Sequence, residues 1–149
     1  MENFKIIKKL ESTSSRLSKE EIILNEMKNK NVVFFQGMSL AYNKLLTFGV
    51  KQVPKSESNG DGLEWEEFSQ LADKLISRKL TGHAARDEIL EKMEKSHVDE
   101  WNFFYKRILQ KDMRCGLSEK TINNVAQKNY FSEYIIPVFA CQLAQDSEL

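Results

Sequence analysis

The chain has 149 residues, 41% of them hydrophobic and 30% charged, with 22 basic residues balanced by 22 acidic ones. That composition suits one compact globular domain with a real core. It excludes a disordered polymer and a protein that holds nucleic acid by bulk positive charge alone. No apolar run approaches the roughly 18 residues that a membrane helix needs, and the start, Met1-Glu2-Asn3-Phe4-Lys5, lacks the basic-then-apolar layout of a secretory signal. Two cysteines, Cys115 and Cys141, fit a reducing, cytoplasmic setting, and no Cys/His cluster has zinc-site spacing.

Only two prolines and six glycines interrupt the chain, which favours long helices. Phe4, Ile6, Ile7 and Leu10 predict a short opening helix, broken by the serines from Ser12 to Ser15. Ser18 with Glu21 three residues on reads as a capping box for a second helix through about Met27. Residues 32–48 carry Phe34, Met38, Ala41, Leu45 and Phe48 at steps of three and four, predicting a buried central helix. Residues 51–62, with Pro54, Ser56, Asn59, Gly60 and Gly62, form the clearest loop. Trp65, Phe68, Leu71, Ala72, Leu75 and Ile76 make the next helical stripe. A turn at 78–82 leads into a helix over about 82–95 that packs Ala85, Ile89 and Met93. Trp101, Phe104, Tyr105, Ile108 and Leu109 give a further stripe. After a turn at 112–116, Ser118 is an N-cap for a helix carrying Ile122 and Val125. The last segment, 135–144, contains Pro137. The expected fold is all-α: a single compact bundle of about seven helices over 1–134, with 135–149 leading away as a linker.

Nothing in the chain resembles a complete active site. His83 and His97 are isolated, without the positioned partner that a general base needs. No phosphate-binding loop ending in Lys-Ser/Thr is present. Asn59-Gly60-Asp61-Gly62 lacks the remaining spaced oxygens of a calcium loop. Cys115 beside Arg114 could have a lowered thiol pKa, but a packed, unreactive cysteine is the simpler reading. No metal site and no catalytic residue is expected within these residues.

Two loop-to-helix junctions share a chemistry. One is Arg78-Lys79-Leu80-Thr81-Gly82-His83-Ala84-Ala85; the other is Lys111-Asp112-Met113-Arg114-Cys115-Gly116-Leu117-Ser118. Each sets a glycine at or near a helix start beside basic and hydroxyl residues. Glycine lets a backbone approach a phosphate, and first-turn amides at the positive helix end favour an anion. Such contacts position a protein on DNA without reading sequence. Thr-Gly and Gly-Ser turns also cap helices in many proteins, so the pair alone suggests nucleic acid without being specific for it.

At these residues the chain resembles the N-terminal domain of ATP-dependent DNA ligases, of the kind found in T-even-like bacteriophages. The likeness covers most of the chain in four ordered blocks: Phe4 to Leu10 with Ser18 to Leu24; Arg78 to Ala85; Arg107 to Ser118; and Ile136 to Ala144. It implies a three-domain enzyme whose helical domain grips the minor groove around a nick. A nucleotidyltransferase domain would take AMP from ATP on the lysine of a Lys-x-Asp-Gly motif, with Mg2+ aiding each phosphoryl step, and an OB-fold domain would close the ring. No Lys-x-Asp-Gly occurs among the 149 residues, so this chain alone is expected to be inactive and to be part of a longer enzyme. Cellular relatives carry a second basic residue where this chain has Asp112. An acid beside phosphates is repulsive and counts against the contact expected there.

The expected DNA-binding residues are therefore Arg78, Lys79, Thr81, Gly82, His83, Ala84, Arg114, Gly116, Ser118 and Lys120, on one face of a monomer bound to nicked double-stranded DNA. Phe34, Trp65, Phe68, Trp101 and Phe104 are expected in the core, as the rigid mount. Two rivals stand beside this reading. One is a free-standing helical DNA-binding protein. The other is an interaction module docking through Phe4, Ile7 and Leu10, although packing of that helix onto its own core is the simpler reading; the resemblance to phage ligases implies a replication sliding clamp as candidate partner for residues 1–11.

Overall fold

The computed structural model describes residues 2–138. Seven helices occur among them, counting the continuous run 98–110 as one, and no strand. They are α1 (Asn3–Glu11), α2 (Arg16–Lys28), α3 (Val32–Tyr42), α4 (Trp65–Ile76) and α5 (Gly82–Lys95). Then come α6, built from Val98–Glu100, a π-helical stretch Trp101–Tyr105 and Lys106–Gln110, and α7 (Glu119–Lys128). A 3-10 turn, Ser132–Tyr134, follows. The all-α expectation holds. No helix among the described residues is long and apolar enough to cross a membrane.

Helix α6 forms the axis. Its Trp101, Phe104 and Ile108 are fully buried, and α1 and α3 pack against it, while α2 packs on α7 and α4 on α5. Phe34 and Phe104 stack 6.3 Å apart, and Phe68 meets Tyr105 at 4.5 Å. Offset aromatic pairs at such distances add to the burial of their large apolar surfaces. Trp65 is half-buried and covers Phe68, Phe104 and Tyr105. The aromatics expected as core are thus core, with Trp65 as its lid.

Helix α1 spends its apolar face on the same core: Ile7 and Leu10 are fully buried. Its first turn is capped from α6, where the Glu100 carboxylate accepts from Phe4 N–H at 2.8 Å. Burial raises the Glu100 pKa above the usual carboxylate value.

Three details depart from the sequence reading. Helix α2 starts at Arg16, not after Ser18: Ser15 is the N-cap and its side chain accepts from the Ser18 amide. Four nearby serines offered the same hydroxyl, and the earlier one gains most of a turn. Helix α3 ends at Tyr42, not near 48. Lys111 Nζ donates to the carbonyls of Leu40 and Asn43, each at 2.9 Å, and Asn43 Oδ1 accepts from Leu45 N–H, turning the chain out of the helix. Phe48 is still buried, but from the connector, whereas Leu45 is exposed.

The loop consequently runs over residues 43–64, and α6 with its preceding turn holds it down. Trp101 Nε1 donates to Pro54 O at 2.9 Å, Tyr105 OH to Leu63 O at 3.1 Å, and Asn102 exchanges two bonds with Ser56. Gly60 and Gly62 amides reach the carbonyls of Ser96 and Lys95. A long loop tied this firmly is part of the fold. Beyond α7, Asn123 exchanges two hydrogen bonds with the buried Ile136 backbone. The remainder of the expected linker, 139–149 including Cys141, lies outside the described residues.

Candidate nucleic-acid interface

The first junction follows α4. Ser77 caps that helix, Lys79 N–H returns to Lys74 O at 2.9 Å and Arg78 N–H to Leu75 O at 3.2 Å, which leaves Arg78 left-handed with φ 64°. Glycine is the ordinary residue there. Arg78 keeps the position through its guanidinium, which donates to Leu75 O at 3.0 Å and to Thr47 Oγ1 at 2.7 Å. It is a brace as much as a free cation. Lys79, Thr81, Gly82, His83 and Ala84 are all exposed.

Helix α5 then starts without help. Thr81 sits at the N-cap with no side-chain bond to the helix, and no acidic residue occupies the first turn. The first-turn amides of an α-helix have no acceptor within it, so this end presents open donors and partial positive charge. Gly82 is left-handed, φ 57°, and a Cβ there would meet nothing within 4 Å. The space above the glycine is open, as close approach by a ligand requires.

The second junction is held from many sides. Arg107 NH1 donates to Met113 O at 2.9 Å, and Tyr42 OH to Leu117 O at 2.9 Å. Cys115 is buried, and burial pushes its thiol pKa up, so it is packed rather than reactive. Arg114 is left-handed, φ 52°. Its amide donates to Asp112 Oδ1 at 3.3 Å, while Asp112 Oδ2 lies 3.7 Å from its guanidinium. The acid at 112 therefore builds the turn that presents Arg114. Ser118 is the N-cap of α7, as expected, accepting from Thr121 N–H at 3.2 Å. Arg114, Gly116, Ser118 and Lys120 are exposed.

Three basic residues that the sequence did not single out join this junction. Arg16 and Lys19 of α2 line a cleft of about 340 Å³ with Gly116, Leu117, Ser118 and Lys120. Lys19 Nζ reaches Gly116 O at 3.4 Å, across 97 residues of sequence. Lys44, on the connector, lies 3.9 Å from Glu119. Nearby, the Lys106 pKa is lowered, first by burial and then by the charges of Arg114, Arg107 and Lys55. Basic side chains thus cluster here, with Asp112, Glu20 and Glu119 among them.

The connector joins the two junctions. Lys44 touches the first turn of α7 and Thr47 touches Arg78. Three residue steps span at most about 11 Å. Arg78 of the first junction and Glu119 of the second therefore meet the two ends of one short segment, and Gly82 and Ser118 at the helix starts are exposed.

Two solved structures are similar to this chain. Pmar-Lig_PreS3 shares 52% sequence identity and Pmar-Lig_Pre 51%, each with a TM-score of 0.89 over 96% of this chain. Both structures are ligase-related by their names. The chain spans 33% of the length of each of these structures. No protein-family model matches the chain, and comparison with curated proteins returns no relative.

No group of three or more His, Cys, Asp or Glu residues among the described ones could hold a metal ion.

Proposed function

We propose that this chain is the DNA-binding, N-terminal domain of an ATP-dependent DNA ligase of phage type, acting in replication and repair in the host cytoplasm. It grips nicked duplex DNA across the minor groove through phosphates, without reading sequence. The observation that carries this reading is the pair of exposed, cation-bearing helix starts, one on each side of the 44–47 connector. The likeness to ligase-named structures supports it. Lys79 and the α5 amides would meet one strand; Arg114, Lys120 and the α7 start would meet the other. Positioning is the whole of this domain's contribution. Adenylation, with ATP and Mg2+, belongs to a nucleotidyltransferase domain elsewhere in the full enzyme.

The test is fluorescence anisotropy of the 149-residue chain on nicked duplex across a salt series. About five phosphate contacts predict a log–log slope near −4 to −5. Arg114→Glu should weaken binding by about tenfold or more, with the helical circular dichroism intact. No affinity for duplex at low salt would end the proposal. In the source reading frame, Lys-x-Asp-Gly within some tens of residues after Leu149 supports the ligase reading; a stop codon there favours a free-standing binding protein.

A further inference from the structure

We propose that Leu45 is a groove probe: an apolar side chain that enters the minor groove of bound duplex between the two phosphate-contacting helix starts. The proposal rests on the duplex-binding reading above and adds a contact of a different kind.

Leu45 is 63% exposed, yet it does not sit on a loose loop. Its own amide donates to Asn43 Oδ1 at 3.0 Å, and the Leu46 amide to Asn43 O at 3.1 Å. The same Asn43 carbonyl receives Lys111 Nζ. On one side of Leu45, Lys44 faces Glu119 at the start of α7. On the other, Thr47 is bonded to Arg78 beside the start of α5. Its apolar neighbours turn inward: Leu46 is half-buried and Phe48 is buried. The turn thus has an apolar interior available to it, and Leu45 stands outside that interior.

Single exposed apolar side chains are common and usually need no explanation. This one differs in standing on a turn tied to both junctions, Asn43 by Lys111 and Thr47 by Arg78. Between two sets of phosphate contacts on opposite strands lies the floor of the groove, roughly 6 Å wide. Apolar side chains are accepted there against sugars and base steps, with little dependence on sequence. A charged residue at this point would serve phosphates; a leucine serves the groove itself.

The experiment compares the full 149-residue chain with Leu45→Ala, Leu45→Ser, Lys79→Glu and Val32→Ala on nicked duplex by anisotropy. Thermal melts run in parallel. Val32 is the exposed apolar residue at the opposite end of α3. Leu45→Ala should weaken binding by roughly fivefold, the scale of a lost leucine contact, with the melting temperature and salt slope unchanged. Val32→Ala should bind as the parent does. If Lys79→Glu weakens binding while both Leu45 variants bind normally, the groove probe is refuted and the duplex-binding reading survives. Equal losses in Leu45→Ala and Val32→Ala would also refute it. If the parent chain fails to bind duplex, both readings fall together.

Discussion

At Thr81–Ala84 a helix begins with its amides unclaimed, whereas at Ser118–Thr121 a serine side chain has already taken one of them. The first start has no acid in its opening turn; the second has Glu119 there and Asp112 just upstream. Their glycines differ too. A Cβ on Gly82 would point into open space, while one on Gly116 would collide with Lys19 Nζ. Similar strings of Gly, hydroxyl and cation thus fold into an open socket at one site and a largely self-satisfied turn at the other. Anion affinity depends on which donors the fold leaves over, not on the presence of the motif.

The sharpest way to break this comparison is at the glycines. Gly82→Ala should lower duplex affinity by about tenfold, since a methyl group would stand where a phosphate approaches, and cost about 1 kcal/mol of stability from the left-handed φ. Gly116→Ala should likewise cost about 1 kcal/mol from its left-handed φ, since the flexible end of Lys19 can swing aside. Anisotropy and urea melts on the two variants measure both quantities. A Gly82→Ala protein with parental affinity would show that the open socket is idle.

The caps come next in size. Ser118→Ala should destabilise the domain by about 1 kcal/mol, the ordinary worth of an N-cap side chain. Thr81→Ala should change stability by only a few tenths of a kcal/mol, since Thr81 makes no capping bond. Equal losses in chemical denaturation would erase the distinction between the two starts.

The smallest effect is electrostatic. Asp112→Asn keeps the side-chain oxygen that accepts from the Arg114 amide and removes a negative charge from the proposed DNA-binding surface. Duplex affinity should rise about two- to threefold at low salt and return toward the parent's as salt screens the charge. A fall in affinity would mean that the Asp112 charge itself orients Arg114.

Much of this architecture was legible in the sequence because it is local. The limits of α5, the Ser118 cap and the buried stripe from Trp101 to Leu109 follow from spacing and turn chemistry within a few residues. Helix α3 was read too long because Leu45 and Phe48 prolong the helical period, although one is exposed and the other is buried from a loop. Periodicity records apolar spacing and not the partner that buries it. Arg16, Lys19 and Lys44 carry no local signal of the second junction, because folding brings them to it from remote sequence. Asp112 was read through its charge alone, while its carboxylate also takes the Arg114 amide. A hydroxyl or carboxylate that looks free in sequence is often occupied by its own backbone.

Four helix ends carry a further consequence. Lys30, Arg78, Lys111 and Tyr130 each occupy the left-handed residue after a helix, with φ of 59°, 64°, 57° and 63°. Each closes its helix with a bond from the following amide back across the last turn. Glycine would relax all four backbones, but at Arg78 and Lys111 it would cut the side-chain ties to Thr47 and Asn43 that hold the connector. Tyr130 is 91% exposed, so its ring contributes little packing to the fold. Robustness against heat therefore has an untapped reserve at the far end of α7, where a single exchange to glycine could harden the scaffold without disturbing the proposed DNA grip.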